Sequence, residues 1–140
     1  MTDLLLDTHV LLWLDNGDRR LSERSRGAIE QARGEGGRIF LSAVSVWEIA
    51  MLVAKGAIEL DLAVEGWVER VLDQSGLEAV PLDHVAASRA YTLHHLEHGD
   101  PADRLLIATA IGLSCPLVTY DDRIRRFART RGKQYGFAIL

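Results

Sequence analysis

Residues 3–14 read D-L-L-L-D-T-H-V-L-L-W-L, and this stretch decides how the rest of the chain is understood. Leu4 to Leu6 is a short apolar run that stops at Asp7. The apolar pattern resumes from His9 to Leu14 with Val10, Leu11, Trp13 and Leu14, until Asp15-Asn16-Gly17-Asp18 gives a turn signal. A core strand that passes straight into a helix opens a strand–helix crossover, and Asp7 stands at the junction.

The same alternation continues outward from there. Leu21-Ser22 opens a mostly polar helix ending near Gly34, Arg38 to Leu41 reads as a strand, and Ser45 to Ala54 as a helix stopped at Gly56. Val64 to Leu72 is amphipathic, with Trp67, Val68 and Val71 at helical spacing, and Leu77 to Leu82 is a third strand. Asp83 is placed to cap a helix through Leu96. Asp100-Pro101 starts a strongly apolar helix, Leu117 to Thr119 is a fourth strand, Asp121 to Arg129 a last helix, and Phe137 to Leu140 a candidate fifth strand. Strands alternating with helices imply a three-layer α/β/α fold around a central parallel sheet of four to five strands. With 140 residues and no linker or repeat, a single domain spanning 1–140 is expected.

In such a sheet the carboxyl ends of the strands share one edge, so acids placed there converge. Asp7, Glu48 in S-V-S-V-W-E-I, Asp103 in D-P-A-D-R-L-L-I and Asp121 in L-V-T-Y-D-D-R all follow strands or open helices on that edge. Converged carboxylates repel unless a hard cation or shared protons neutralise them, so a divalent metal site is the leading reading. Taken singly, each acid also has a structural reading. Ser45 and Glu48 have capping-box spacing, Asp100 and Asp103 suit the cap and first turn of the apolar helix, and Asp121 could cap the last one. Thr8, Ser42, Ser45 and Thr119 flank the acids and could orient them or hold water.

Composition bounds the function classes. Apolar residues make up 48% and charged residues 26%, as in a globular chain. The single Cys115 excludes an internal disulfide and a cysteine-based zinc cluster, suits a reducing cytoplasm, and reads as a core thiol. No basic leader precedes the first apolar run, and no run approaches the ~20 residues of a membrane span, so a cytoplasmic protein is expected. The net charge is −4, from 20 acids and 16 bases; the four candidate acids account for all of it. Arg123, Arg125, Arg126, Arg129, Arg131 and Lys133 fall in an acid-free stretch that could hold phosphates or form a solvated helix face.

The motifs L-L-L-D-T-H-V-L-L-W, S-x-x-S-x-W-E-I, H-G-D-P-A-D-R-L-L-I-A-T-A and L-V-T-Y-D together resemble those of PIN-domain ribonucleases, in particular the VapC toxins of bacterial toxin–antitoxin pairs. The resemblance runs from Asp3 to about Phe127. It implies that Asp7, Glu48, Asp103 and Asp121 are the family's four acids and Thr119 its accompanying hydroxyl. Asp100 ranks below Asp103, and Asp122 is a surface residue. It further implies Mg²⁺ or Mn²⁺ held by Asp7, Glu48, Asp103 and Asp121, with Thr119 positioning water or a ligand. RNA would be the substrate, cut to a 5′-phosphate and a 3′-hydroxyl. A small antitoxin partner and a homodimer are also implied, with no membrane. Substrate contacts are expected from Arg104, Arg123, Arg125 and Arg126, and from arginines around Arg19 and Arg20.

Several residues stay outside that scheme. His94 and His98 are four apart beside His95 and Glu97, but no third ligand supports zinc, so a solvated helix end is expected. His9 either packs under the sheet edge or contacts substrate. Trp13, Trp47 and Trp67 read as core or interface rather than as base-stacking platforms. Two other classes compete. One is a phosphohydrolase of the haloacid-dehalogenase type, which would want an acid where His9 stands. The other is a binding module, either PIN-like or a receiver domain; a receiver would need a lysine near the last strand, and only Lys55 and Lys133 exist.

Overall fold

Every strand is short and pairs in parallel. The computed structural model describes residues 2–97 and 99–140. Among them β1 (Leu4–Leu6), β2 (Ile39–Ser42), β3 (Glu78–Val80) and β4 (Leu117–Val118) form one sheet in the order β3-β2-β1-β4. Leu5 sits opposite Phe40 on one side and Leu117 on the other, which makes the first strand of the chain a central one.

Side chains alternate across the sheet, and both faces are apolar, as burial on both sides requires. Leu4, Leu6, Ile39, Leu41 and Val118 pack on one face with α1 (Thr8–Asn16), α2 (Glu23–Gly34) and α4 (Val64–Ser75). Leu5, Phe40 and Leu117 face α6 (Pro101–Leu113) and α7 (Asp122–Tyr135) on the other. Helix α3 (Ala43–Ala54) serves both layers, through Ile49 and Val44 respectively. This is the expected three-layer α/β/α arrangement. Cys115 is buried, and that burial pushes its thiol up to about 11, leaving it inert at neutral pH. No helix of the described residues is long and apolar enough to cross a membrane.

Four elements differ from expectation, each for an identifiable reason. The helix expected from Asp83 to Leu96 stops early: α5 covers only His84–Arg89. Beyond it the Arg104 guanidinium donates to the carbonyls of Ala90 (3.2 Å), Leu93 (3.5 Å) and Leu96 (2.9 Å), supplying partners that a continued helix would have supplied. The candidate fifth strand is a single parallel bridge, Leu117 to Ile139, because α7 runs on to Tyr135 and ends at left-handed Gly136 (φ 67°). The third strand is only Glu78–Val80, the portion that pairs with β2. Finally α3 starts at Ala43, with Ser42 accepting from the Val44 amide, so Ser45 and Glu48 do not form a capping box.

Candidate active site

The strand order turns at β1, whose neighbours are β2 and β4, and the crevice at such a switch is where ligands bind in open parallel sheets. Asp7 leaves β1 and caps α1, while Thr119 and Asp121 follow β4, with Asp121 capping α7. Glu48 projects from the second turn of α3, and Asp103 from the first turn of α6, whose cap is Asp100. Asp7, Glu48, Asp100, Asp103 and Asp121 line one open cleft of about 220 Å³, with Thr8, His9, Leu12, Leu52 and Arg123 completing it. The chain thus brings together all four sequence-expected acids, and Asp100 with them; Asp122 is exposed on the surface, as expected.

Capping and convergence prove compatible. Asp7 is 3% exposed; its Oδ1 accepts from the Thr8 amide (2.7 Å) and its Oδ2 from the Thr119 hydroxyl (2.6 Å). Thr119 Oγ1 in turn accepts from the Asp121 amide (3.1 Å), while Asp121 Oδ1 accepts from the amides of Arg123 (2.8 Å) and Ile124 (3.0 Å). On the other wall, Thr8 Oγ1 is hydrogen-bonded to Glu48 Oε1 and to Ser45 Oγ. Asp100 accepts from the Asp103 amide (3.2 Å). Asp7, Glu48, Asp100 and Asp121 are therefore each aimed by a backbone amide or a hydroxyl, an outer layer of support of the kind that fixes ligand orientation.

The electrostatics show the strain of the gathering. Burial, followed by the charges of Asp100, Asp7, Asp121 and Glu48, pushes the Asp103 carboxyl up to about 7. Glu48 is also raised, chiefly by burial and further by Asp7 and Asp100, although the Thr8 hydrogen bond opposes the shift. Arg123, 3.6 Å from Asp121 Oδ2, brings one positive charge to the rim. Among the described residues no three acid, histidine or cysteine side chains already close on one point at metal-binding distance. The donor set is nonetheless all hard oxygen, which suits Mg²⁺ or Mn²⁺; Mg²⁺ keeps several waters and takes one or two carboxylates directly.

His9 resolves into a strut. Its Nε2 accepts the Tyr120 amide (3.0 Å), and its Nδ1 lies 3.6 Å from Asp7 Oδ2, so the ring spans the Asp7 and Thr119–Asp121 segments. With Nε2 used as an acceptor, the neutral ring carries its proton on Nδ1, towards Asp7. His9 is then not free to act as the leaving-group acid of the haloacid-dehalogenase type. Neither Lys55 nor Lys133 lines the cleft, as a receiver would need.

The expected substrate arginines separate. Arg123 is in the cleft and Arg126 in an adjoining hollow. Arg125 donates to the Thr119 carbonyl (3.1 Å) and stacks over Tyr120 on another side. Arg104 is engaged by three carbonyls and lies over the Tyr91 ring, outside the cleft. Arg20 pairs with Asp18 and covers Trp13. Trp67 is buried and donates to Asp15, whereas Trp47 is 58% exposed. Of the zinc candidates, His98 lies outside the described residues and His94 is exposed. Sequence reading missed the Tyr120 amide as the partner of His9; a polar side chain two residues after Asp7, facing a T-Y-D turn, was the available signal.

Fold and cleft together define a PIN domain: the family's model matches residues 4–130, and the chain belongs to the PIN-domain family. Within it, the chain is 35% identical over 131 residues to Ribonuclease VapC22 of Mycobacterium tuberculosis, covering 94% of this chain and 96% of that protein. Similar solved structures include VapBC2 from Rickettsia felis bound to a DNA fragment from its promoter (TM-score 0.71, 18% identity, 99% and 98% coverage). DNA-bound VapBC from Salmonella typhimurium is another (TM-score 0.62, 22% identity, 100% and 98% coverage). At those identities the structures speak for the fold alone.

Proposed function

We propose that this protein is a metal-dependent endoribonuclease toxin that hydrolyses RNA phosphodiester bonds in the cytoplasm and is held in check by a small antitoxin protein. The observation that carries the reading is the raised Asp103 carboxyl, buried among Asp7, Glu48, Asp100 and Asp121 in a chain similar to a VapC ribonuclease. A fold does not keep such a cluster for stability, so a cationic ligand is its best account. The small antitoxin partner and the homodimer belong to the same reading, supported by the 35% identity to a VapC ribonuclease.

Asp7, Asp103 and Asp121 would hold Mg²⁺ or Mn²⁺, with Glu48 on the ion or on a water beside it. When bound, the ion lowers the pKa of a water and offsets charge on the phosphodiester. Thr119 holds Asp7 and the Asp121 amide in register, and Thr8 does the same for Glu48. Arg123 meets the anionic substrate at the rim. No covalent intermediate is required, and the products would carry a 5′-phosphate and a 3′-hydroxyl.

The test is incubation of the antitoxin-free protein with total RNA in Mg²⁺, Mn²⁺ or EDTA, beside Asp7→Asn. Discrete cuts that vanish in EDTA and in the variant are expected. No cutting in any condition, together with no Mn²⁺ binding by calorimetry, overturns the proposal.

A further inference from the structure

A hollow of about 130 Å³ adjoins the acid cleft and shares Arg123 with it. Its floor is Phe127 and Leu96, which are 3% and 4% exposed and therefore firmly packed. Arg126 and Thr130 form its α7 wall, with His95 and Glu97 opposite. Arg123, Arg126, Phe127 and Thr130 follow the spacing of one helix face, so the hollow is a built extension of that face. Arg123 and Arg126 are about 4.5 Å apart along the helix axis at 1.5 Å per residue, and their long arms reach the cleft rim and the hollow respectively.

The other cations of α7 are disposed differently. Arg125 is engaged by the Thr119 carbonyl and by Tyr120, Arg131 by the Gln134 side chain (3.3 Å), and Arg129 and Lys133 line neither cavity. The cleft itself holds five carboxylates against one guanidinium, so a polyanion gains its hold from charge beside the cleft rather than in it. Phosphate is recognised by planar guanidinium forks, which Arg126 and Arg123 supply, while the Thr130 hydroxyl donates to the Arg126 carbonyl (2.8 Å) and only lines the hollow. The size admits one phosphate group of a single strand and not a duplex.

Building on the ribonuclease reading, we propose that this hollow seats the phosphate next to the scissile one, bound by Arg126 and Arg123. The RNA strand then leaves the cleft along the Thr130 face of α7 and not along the Arg125 face.

The experiment is fluorescence anisotropy with a labelled single-stranded RNA oligonucleotide in EDTA, titrated with NaCl, for wild type, Arg126→Ala, Arg126→Lys and Arg129→Ala. Each neutralised phosphate of a single strand contributes about 0.7 to the slope of log affinity against log salt. Arg126→Ala should lose about that much slope and bind severalfold more weakly. Arg126→Lys should recover the slope with part of the affinity, and Arg129→Ala should match wild type. Unchanged slope in Arg126→Ala overturns the seat, as does an equal loss in Arg129→Ala, which would mean a diffuse basic field. If wild type neither binds nor cuts RNA, the ribonuclease reading falls first and takes this one with it. Thermal melts of all variants, which alter exposed positions, check that folding is unchanged.

Discussion

Replacing Asp103 by Asn should make the metal-free protein more stable, and increasingly so as pH rises. The carboxyl titrates at about 7 in the folded chain against an ordinary 3.8. Well below pH 3.8 it is protonated in both folded and unfolded states, so it costs nothing. Between those two values the unfolded chain releases the proton while the folded chain keeps it, and stability falls with pH; above 7 the full cost is present. A difference of that size corresponds to at most about 4 kcal/mol. The group stands in an open cleft where water screens its neighbours, so we discount this to roughly 2 kcal/mol. For a chain of this length that is roughly 5–8 °C in melting temperature. Urea denaturation in EDTA at pH 3.5 and pH 8 reads it directly. The two proteins should agree within a few tenths of a kcal/mol at pH 3.5, and Asp103→Asn should lead at pH 8. A variant that is no more stable than wild type at pH 8, or a gap independent of pH, refutes the reasoning that the cleft is held against repulsion.

Asp7→Asn should abolish RNA cleavage with a melting temperature close to wild type, because Asn caps as well as Asp, whereas Asp7→Ala should cost about 2–4 kcal/mol through the lost cap and the stranded Thr119 hydroxyl, read by chemical denaturation. His9→Phe keeps the ring packing on Trp13 but leaves the Tyr120 amide without its acceptor; we expect a loss of about 1–3 kcal/mol and a fall in kcat larger than any rise in KM, partly rescued by His9→Asn. Arg104→Met should remove the partners of three carbonyls for about 1.5–3 kcal/mol, and amide hydrogen exchange should quicken between Ala90 and Leu96.

The sheet and its order of elements were legible because burial on both faces writes continuous apolar runs, such as Leu4 to Leu6, ended by residues that cannot continue them. Asp7, Asp103 and Asp121 were legible because each stands where a strand ends or a helix begins, whereas Glu48 lies a turn further into α3 than its spacing from Ser45 suggested. What the one-dimensional pattern did not carry were contacts between distant segments. Arg104 unwinding the helix expected after Arg89 depends on a neighbour fourteen residues from Ala90, and nothing local to Tyr91 or Thr92 announces it. The choice between packing and substrate contact for His9 depended on an amide 111 residues away. The Ser45–Glu48 spacing mimicked a cap because the true one, Ser42, lay three residues earlier at the end of β2. The arginines of α7 looked equivalent in sequence, and only the helix phase separates Arg123 and Arg126 from Arg125.

The order of the strands also governs when the cleft can exist during synthesis. Asp7 is made well before the hydroxyl that fixes its second oxygen, which comes from Thr119, 112 residues later, and β1 gains its second neighbour only with β4. A nascent chain can pair β1 with β2 early, but it lacks the Thr119–Asp121 turn, the Arg123 rim and one side of the sheet until β4 and the start of α7 have been made. Pairings this far apart in sequence also close slowly. The cleft therefore carries a built-in delay: it cannot be complete before residues 119–123 have been made and β4 has docked on β1.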